Sequence, residues 1–200
     1  FGVEPGRFPV EETGWVEKTL DPPRRMYNDV AMGGYLIWRL YPGDQAFIDG
    51  RNEVHARLLA ESAGAVDNGR AWQALLDRYG IEAAMVQYRE DLIDVSGPGG
   101  TSRHTFAPLH FPRSRWALVH WGDGAMVFLR RGGRFQAVID RGEYAAIDPE
   151  DWRYQLDRCA DGDAALCEGI RADLQTRMTR APVPERAVAI ARRLASLSQE

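Results

Sequence analysis

Residues 26–52 read Met26-Tyr27-Asn28-Asp29-Val30-Ala31-Met32-Gly33-Gly34-Tyr35-Leu36-Ile37-Trp38-Arg39-Leu40-Tyr41-Pro42-Gly43-Asp44-Gln45-Ala46-Phe47-Ile48-Asp49-Gly50-Arg51-Asn52. Arg24–Asn28 predicts a short strand. From Val30 to Tyr41, residues Ile37, Leu40 and Tyr41 fall at helical spacing. Pro42-Gly43 stops that helix. Gln45–Ile48 predicts a second strand, ending in Asp49-Gly50-Arg51. Strand, helix and strand in this order make the unit on which the fold is read.

Downstream the alternation continues. A helix from Asn52 to Ala63 places Val54, Leu58 and Leu59 on one side. Arg70–Tyr79 carries Trp72, Leu75, Leu76 and Tyr79 on one face, and Gly80 stands where a C-cap glycine belongs. Ile81–Tyr88 predicts a third strand. Helices between strands imply parallel pairing with crossover connections. Trp116–Trp121 and Ala125–Arg130 flank Gly122-Asp123-Gly124, a hairpin signal that adds an antiparallel pair. Between them, Arg89–Arg115 reads as a long irregular loop around Gly97-Pro98-Gly99-Gly100, a length that is usually functional or mobile.

The fold class is therefore α/β: a two- or three-layer mixed sheet with crossover helices and a C-terminal helical extension. Residues 1–25 form a lead-in with a helical stretch around Glu11–Leu20, residues 26–147 the α/β domain, and residues 148–200 the helical extension. In that extension Pro149 suits a helix start. Leu166, Ile170, Leu174 and Met178 recur every four residues. Ala187, Ile190, Ala191, Leu194 and Leu197 form another apolar stripe. These helices make either a small subdomain or a layer packed across the sheet.

Composition sets the outer bounds. Of 200 residues, 44% are hydrophobic and 27% charged, an ordinary globular balance. The net charge of −4 argues against a basic nucleic-acid face. No stretch approaches the roughly 18 apolar residues of a spanning helix. The opening at Phe1 predicts a piece of a longer protein. Cys159 and Cys167 would stand too far apart on one straight helix for a disulfide. The turn-like Ala160-Asp161-Gly162-Asp163 between them can fold them together, so a disulfide and two buried thiols both fit.

Candidate chemistry gathers at the predicted strand ends. Parallel strands would bring Asn28-Asp29, Asp49-Arg51 and Tyr88-Arg89 to one carboxyl edge, the usual ligand crevice of an open α/β sheet. The candidate ligand contacts are Asn28, Asp29, Tyr35, Asp49, Arg51 and Arg89. Asp49 has an equally simple use as a helix cap or as the partner of Arg51. Gly33-Gly34 inside a helix costs roughly 2 kcal/mol against two alanines, which close packing against a neighbour would offset. His55, His104, His110 and His120 show no metal-ligand spacing, and His120 alternates with apolar residues on one face of a strand. Asp157, Asp161, Gly162 and Glu168 loosely match a calcium loop, but Cys159 takes a ligand place. The Gly97 loop lacks the Lys and Ser/Thr of a phosphate loop. No catalytic residue, metal or cofactor is expected.

The segment 26–52 resembles a signature, FN-x-x-x-GGYLIW-x-LYP…FIDGR, of large bacterial multi-spanning membrane proteins of a glycosyltransferase-like type. The likeness continues through Trp72–Tyr88 and the Trp116–Arg130 hairpin. It implies a soluble extracytoplasmic (periplasmic) C-terminal domain that is tethered to the membrane part of its parent and positions a carbohydrate or peptide acceptor. A fainter likeness, to the soluble domain of oligosaccharyltransferase catalytic subunits, extends to architecture alone. There an aromatic–aromatic–Asp–x–Gly motif reads the acceptor, and here Val30-Ala31-Met32 stand in its place. The rival readings are a stand-alone α/β enzyme using Asp29, Asp49 and a histidine, and an interaction module working through the C-terminal helices.

Overall fold

The computed structural model describes residues 8–89, 91–97 and 100–197. Along the chain these form α1 (Val10–Thr19), β1 (Met26–Asn28), α2 (Val30–Leu40), α3 (Asn52–Ala65), α4 (Gly69–Arg78), β2 (Ala83–Val86), β3 (Ile93–Gly97), β4 (Gly100–His104), α5 (Phe106–His110), β5 (Trp116–Trp121), β6 (Met126–Arg130), α6 (Gln136–Gly142), α7 (Trp152–Ala160), α8 (Ala164–Met178) and α9 (Glu185–Leu197). The central sheet has the order β1-β2-β6-β5. β1 and β2 are parallel, while β6 runs antiparallel to both β2 and β5. The fold is mixed α/β, as its sequence predicts.

Alternation along the strands builds two cores. Ala84, Val86, Met126 and Phe128 face one, together with residues of α4, α5, α7, α8 and α9. Ala83, Met85, Val127 and Leu129 face the other, with residues of α1, α2 and α6. The sheet is covered on both faces, so its strands read as near-continuous apolar runs. The C-terminal helices are a layer across the sheet: Ile170, Leu174, Ala187, Ile190 and Leu194 share one core with Trp72 and Trp116. Cys159 and Cys167 form a disulfide joining α7 to α8, with Cα atoms 5.4 Å apart. The turn between these helices has Gly162 at φ +101°, a backbone that glycine adopts without strain.

Three expectations need correction. Gln45–Ile48 is not a strand, and the parallel part of the sheet has two strands, not three. The fully buried Asn28 explains why. Its side-chain Oδ1 accepts from Phe47 N at 2.8 Å, and its Nδ2 donates to Ile48 O at 2.7 Å. One amide side chain thus satisfies the groups that a ladder would have used. The segment 89–115 is not an irregular loop but holds the β3–β4 hairpin and α5. Glu90, Pro98 and Gly99 lie outside the described residues.

The paired glycines divide their roles. A Cβ on Gly33 would stand 2.1 Å from Ile48 O and 2.6 Å from Asp49 Cα, whereas one on Gly34 would meet nothing within 4 Å. Gly33 alone is required by close approach. At the start of the domain, Arg24 and Asp44 form a buried ion pair, and Arg24 Nε donates to Leu20 O at 2.8 Å. This pair ties the segment after α1 to the turn after α2.

Candidate functional site

At the carboxyl ends of β1 and β2 the polar groups are occupied by one another. Asp29 is buried at the N-terminal cap position of α2. Its Oδ1 accepts from Tyr27 Oη at 3.1 Å and from Arg89 Nη2, and its Oδ2 accepts from Gln87 N at 2.8 Å. The Arg89 guanidinium lies 3.7 Å from the centre of the Phe106 ring. Glu150 closes the cluster by accepting from Arg89 N at 2.8 Å and Ala107 N at 2.7 Å. Burial pushes its carboxyl up to about 7, against the two backbone N–H bonds. The expected crevice is therefore filled by Arg89, α5 and Glu150.

Asp49 and Arg51 form their own closed pair. Asp49 Oδ1 accepts from Arg51 N and Nε, each at 2.9 Å, and Oδ2 accepts from Nη2 at 2.5 Å. Those side-chain bonds hold the Asp49 carboxyl well below the usual range, against its burial. His55 Nε2 stands 3.2 Å from Oδ2. Tyr35 lies apart from both groups, in the opposite core, with its ring 5.5 Å from Phe8 and 5.8 Å from Trp38. The structure thus joins Asn28 to the segment that ends at Asp49, joins Asp29 to Arg89, and leaves Tyr35 out. Among the described residues, no three His, Cys, Asp or Glu side chains converge as a metal-binding group.

Among the described residues the buried side-chain nitrogens and oxygens without a hydrogen bond are His55 Nε2, Trp72 Nε1, Thr105 Oγ1, Trp121 Nε1 and both ring nitrogens of His120; His120, on the β5–β6 hairpin, has two. Strict alternation would put His120 on the face of Trp116 and Leu118. The register shifts between Leu118 and His120, with Leu118 opposite Phe128 and His120 opposite Val127. This bulge at Val119 sends Trp121 to the face of Trp116 and turns His120 to the opposite face, toward α1. There the imidazole stacks on Trp15, with centroids 5.0 Å apart and planes at 9°.

His120 is only 4% exposed, yet neither ring nitrogen has a hydrogen-bond partner among the described residues. Nε2 stands 3.3 Å from Glu11 Oε1, a close contact without hydrogen-bond alignment. That oxygen is taken by Nη2 of the fully buried Arg177. Arg177 also donates to Trp121 O, Arg180 O and Pro182 O. It fixes α8 against both the hairpin and α1. Glu12, buried in the same place, accepts at Oε1 from Gly124 N at 3.0 Å and Ala125 N at 2.9 Å. Burial pushes its carboxyl up to about 7, with Glu11 adding to the effect. Burial depresses the His120 imidazole, against the pull of Glu11.

These residues border a groove of about 820 Å³ between α1, the hairpin turn and residues 181–185, with Trp15, Lys18 and His120 in its lining. Its size falls within the range of small-molecule clefts. A neutral imidazole offers one N–H donor and one acceptor nitrogen. A hydroxyl also both donates and accepts, so a hydroxyl that reached the ring by a shift of its surroundings would match it. The half-buried Trp15 adds an apolar surface beside it. No family model, curated protein or solved structure matches this chain.

Proposed function

We propose that the chain is a non-catalytic, extracytoplasmic domain of a multi-spanning glycosyltransferase-like membrane protein, and that the groove beside Trp15 and His120 positions a carbohydrate acceptor. The observation that carries this reading is the His120 ring, buried on the wall of a groove with neither nitrogen hydrogen-bonded among the described residues and Glu11 3.3 Å from Nε2. A buried polar group without a partner carries a cost that a ligand can relieve. The Cys159–Cys167 disulfide supports an oxidising compartment. Trp38 and Tyr41, 67% and 70% exposed at the end of α2, supply an aromatic surface for the membrane-embedded part of the parent. The rival enzyme reading loses its carboxylates: Asp29 is taken by Tyr27, Gln87 and Arg89, and Asp49 by Arg51.

Titrating the purified chain with neutral oligosaccharides, followed by calorimetry, tests the reading. Binding in the micromolar to millimolar range is expected, weakened about tenfold in Trp15→Ala, a loss of about 1.4 kcal/mol. Absence of binding at millimolar sugar sinks the positioning role. Hydrolysis or transfer by the isolated chain sinks the non-catalytic one. In cells, the thiols of Cys159 and Cys167 should resist alkylation until a reductant is added. Alkylation without reductant would place the domain in a reducing compartment.

A further inference from the structure

A second groove, of about 640 Å³, shares Asp123, Val183 and Glu185 with the first, so the two adjoin around the start of α9. Its lining differs in charge. Arg153, Arg186 and Arg192 border it, opposed by Asp123 and Glu185. Asp123 is committed to the protein, accepting from Glu185 N at 2.9 Å and Arg186 N at 3.0 Å.

Arg186 is held in place. Its guanidinium lies 3.8 Å from the Tyr88 ring centre, and Nη1 donates to Pro149 O at 3.2 Å. Stacking plus one hydrogen bond fixes the planar fork and leaves its remaining N–H groups available. Arg153 lies 4.7 Å from the Trp152 ring centre. Both Arg153 and Arg192 are exposed, and among the described residues neither has an ion-pair partner. Three guanidinium groups stand here against two carboxylates, a local positive excess in a protein of net charge −4.

We infer that the ligand is an acidic carbohydrate, whose sugar ring lies by Trp15 and His120 while its carboxylate or phosphate groups reach Arg153, Arg186 and Arg192. This deepens the carbohydrate-positioning reading and rests on it. Arginine forks suit either oxyanion, so the probes must carry both.

The experiment compares three oligosaccharides of equal length with the intact chain: neutral, uronate-bearing and phosphorylated. At low salt at least one acidic form should bind about tenfold tighter than the neutral one. That gain should shrink in high salt. It should also vanish in the double variant Arg153→Gln/Arg192→Gln, which changes two exposed side chains and leaves neutral-sugar affinity intact. Trp15→Ala should weaken all three. If the acidic forms bind no tighter than the neutral one, this inference is overturned and the carbohydrate reading stands. If none of the three binds, the carbohydrate reading falls and takes the inference with it. A gain that survives the double variant also overturns the arginine lobe.

Discussion

At the ends of β1 and β2, Asp29 has three donors on its two carboxylate oxygens. At the β5–β6 hairpin, His120 is as deeply buried and, among the described residues, has no hydrogen-bond partner on either nitrogen. Both clusters combine buried acids, arginine and aromatic rings. They differ in whether the protein closes its own polar valences. Where it does, as at Asp29, Arg89 and Glu150, the groups hold the fold together and leave little for a ligand. Where it does not, a groove runs alongside. Clustering of polar residues alone does not single out a site here; the proposal rests on an unmet hydrogen bond beside a groove.

The sharpest way to break the contrast is Asp29→Ala. It leaves the buried Tyr27 Oη, and the half-buried Gln87 N and Arg89, without their acceptor. The expected cost is about 4 kcal/mol of folding stability, read as a lower urea midpoint at unchanged slope. A loss under about 1 kcal/mol would deny that the cluster is structural.

The next effect depends on pH. Glu12 has a folded pKa raised to about 7, so the folded state holds a proton that the unfolded chain releases near 4.5. Its contribution is fully present below the unfolded value and is lost as pH rises through about 7. The difference amounts to about 3 kcal/mol. Glu12→Gln keeps an acceptor oxygen for Gly124 N and Ala125 N and never ionises. Urea unfolding should show the variant more stable than the parent by about 3 kcal/mol at pH 8 and nearly equal at pH 4. Glu150, also raised to about 7, keeps a similar slope in both proteins, so the test is their difference. A difference that stays constant with pH would remove Glu12 from the titration.

Gly33 and Gly34 give a smaller, internally controlled pair. Gly33→Ala drives a methyl group into Ile48 O and Asp49 Cα and should cost about 2 kcal/mol. Gly34→Ala meets nothing and should add up to about 1 kcal/mol through helix propensity. Thermal midpoints that move in opposite directions would fit this. Equal shifts would not.

Much of the architecture can be read along the chain because it rests on local rules. Periodicity marked α2 and α4, the Gly122-Asp123-Gly124 turn marked the hairpin, and the doubled glycine in a helix pointed to a close neighbour. The missing strand at Gln45–Ile48 follows a different logic. Its segment is extended and apolar enough, but the Asn28 side chain takes the bonds that a ladder would need. The β3–β4 hairpin escaped notice because Asp94 and Arg103 interrupt any apolar run. The groove could not be read at all. It depends on one extra residue in a strand and on α1 meeting a hairpin more than a hundred positions later. Alternation puts His120 on one face of the strand without saying which, and the bulge decides it.

His120 supplies the smallest stability effect and the most direct test of the contrast. His120→Phe keeps a ring to stack on Trp15 and deletes two nitrogens that make no hydrogen bond among the described residues, along with the Nε2 contact to Glu11. Removing an unsatisfied buried polar group in favour of an apolar one of similar shape is nearly neutral or stabilising. The unfolding midpoint should therefore move by no more than about 1 kcal/mol, in contrast to the loss at Asp29. Oligosaccharide affinity should fall all the same if the ligand draws on the ring's donor and acceptor nitrogens. A variant that unfolds readily would show that His120 is held by the protein after all. One that stays folded and binds sugar undiminished would move the ligand elsewhere in the groove.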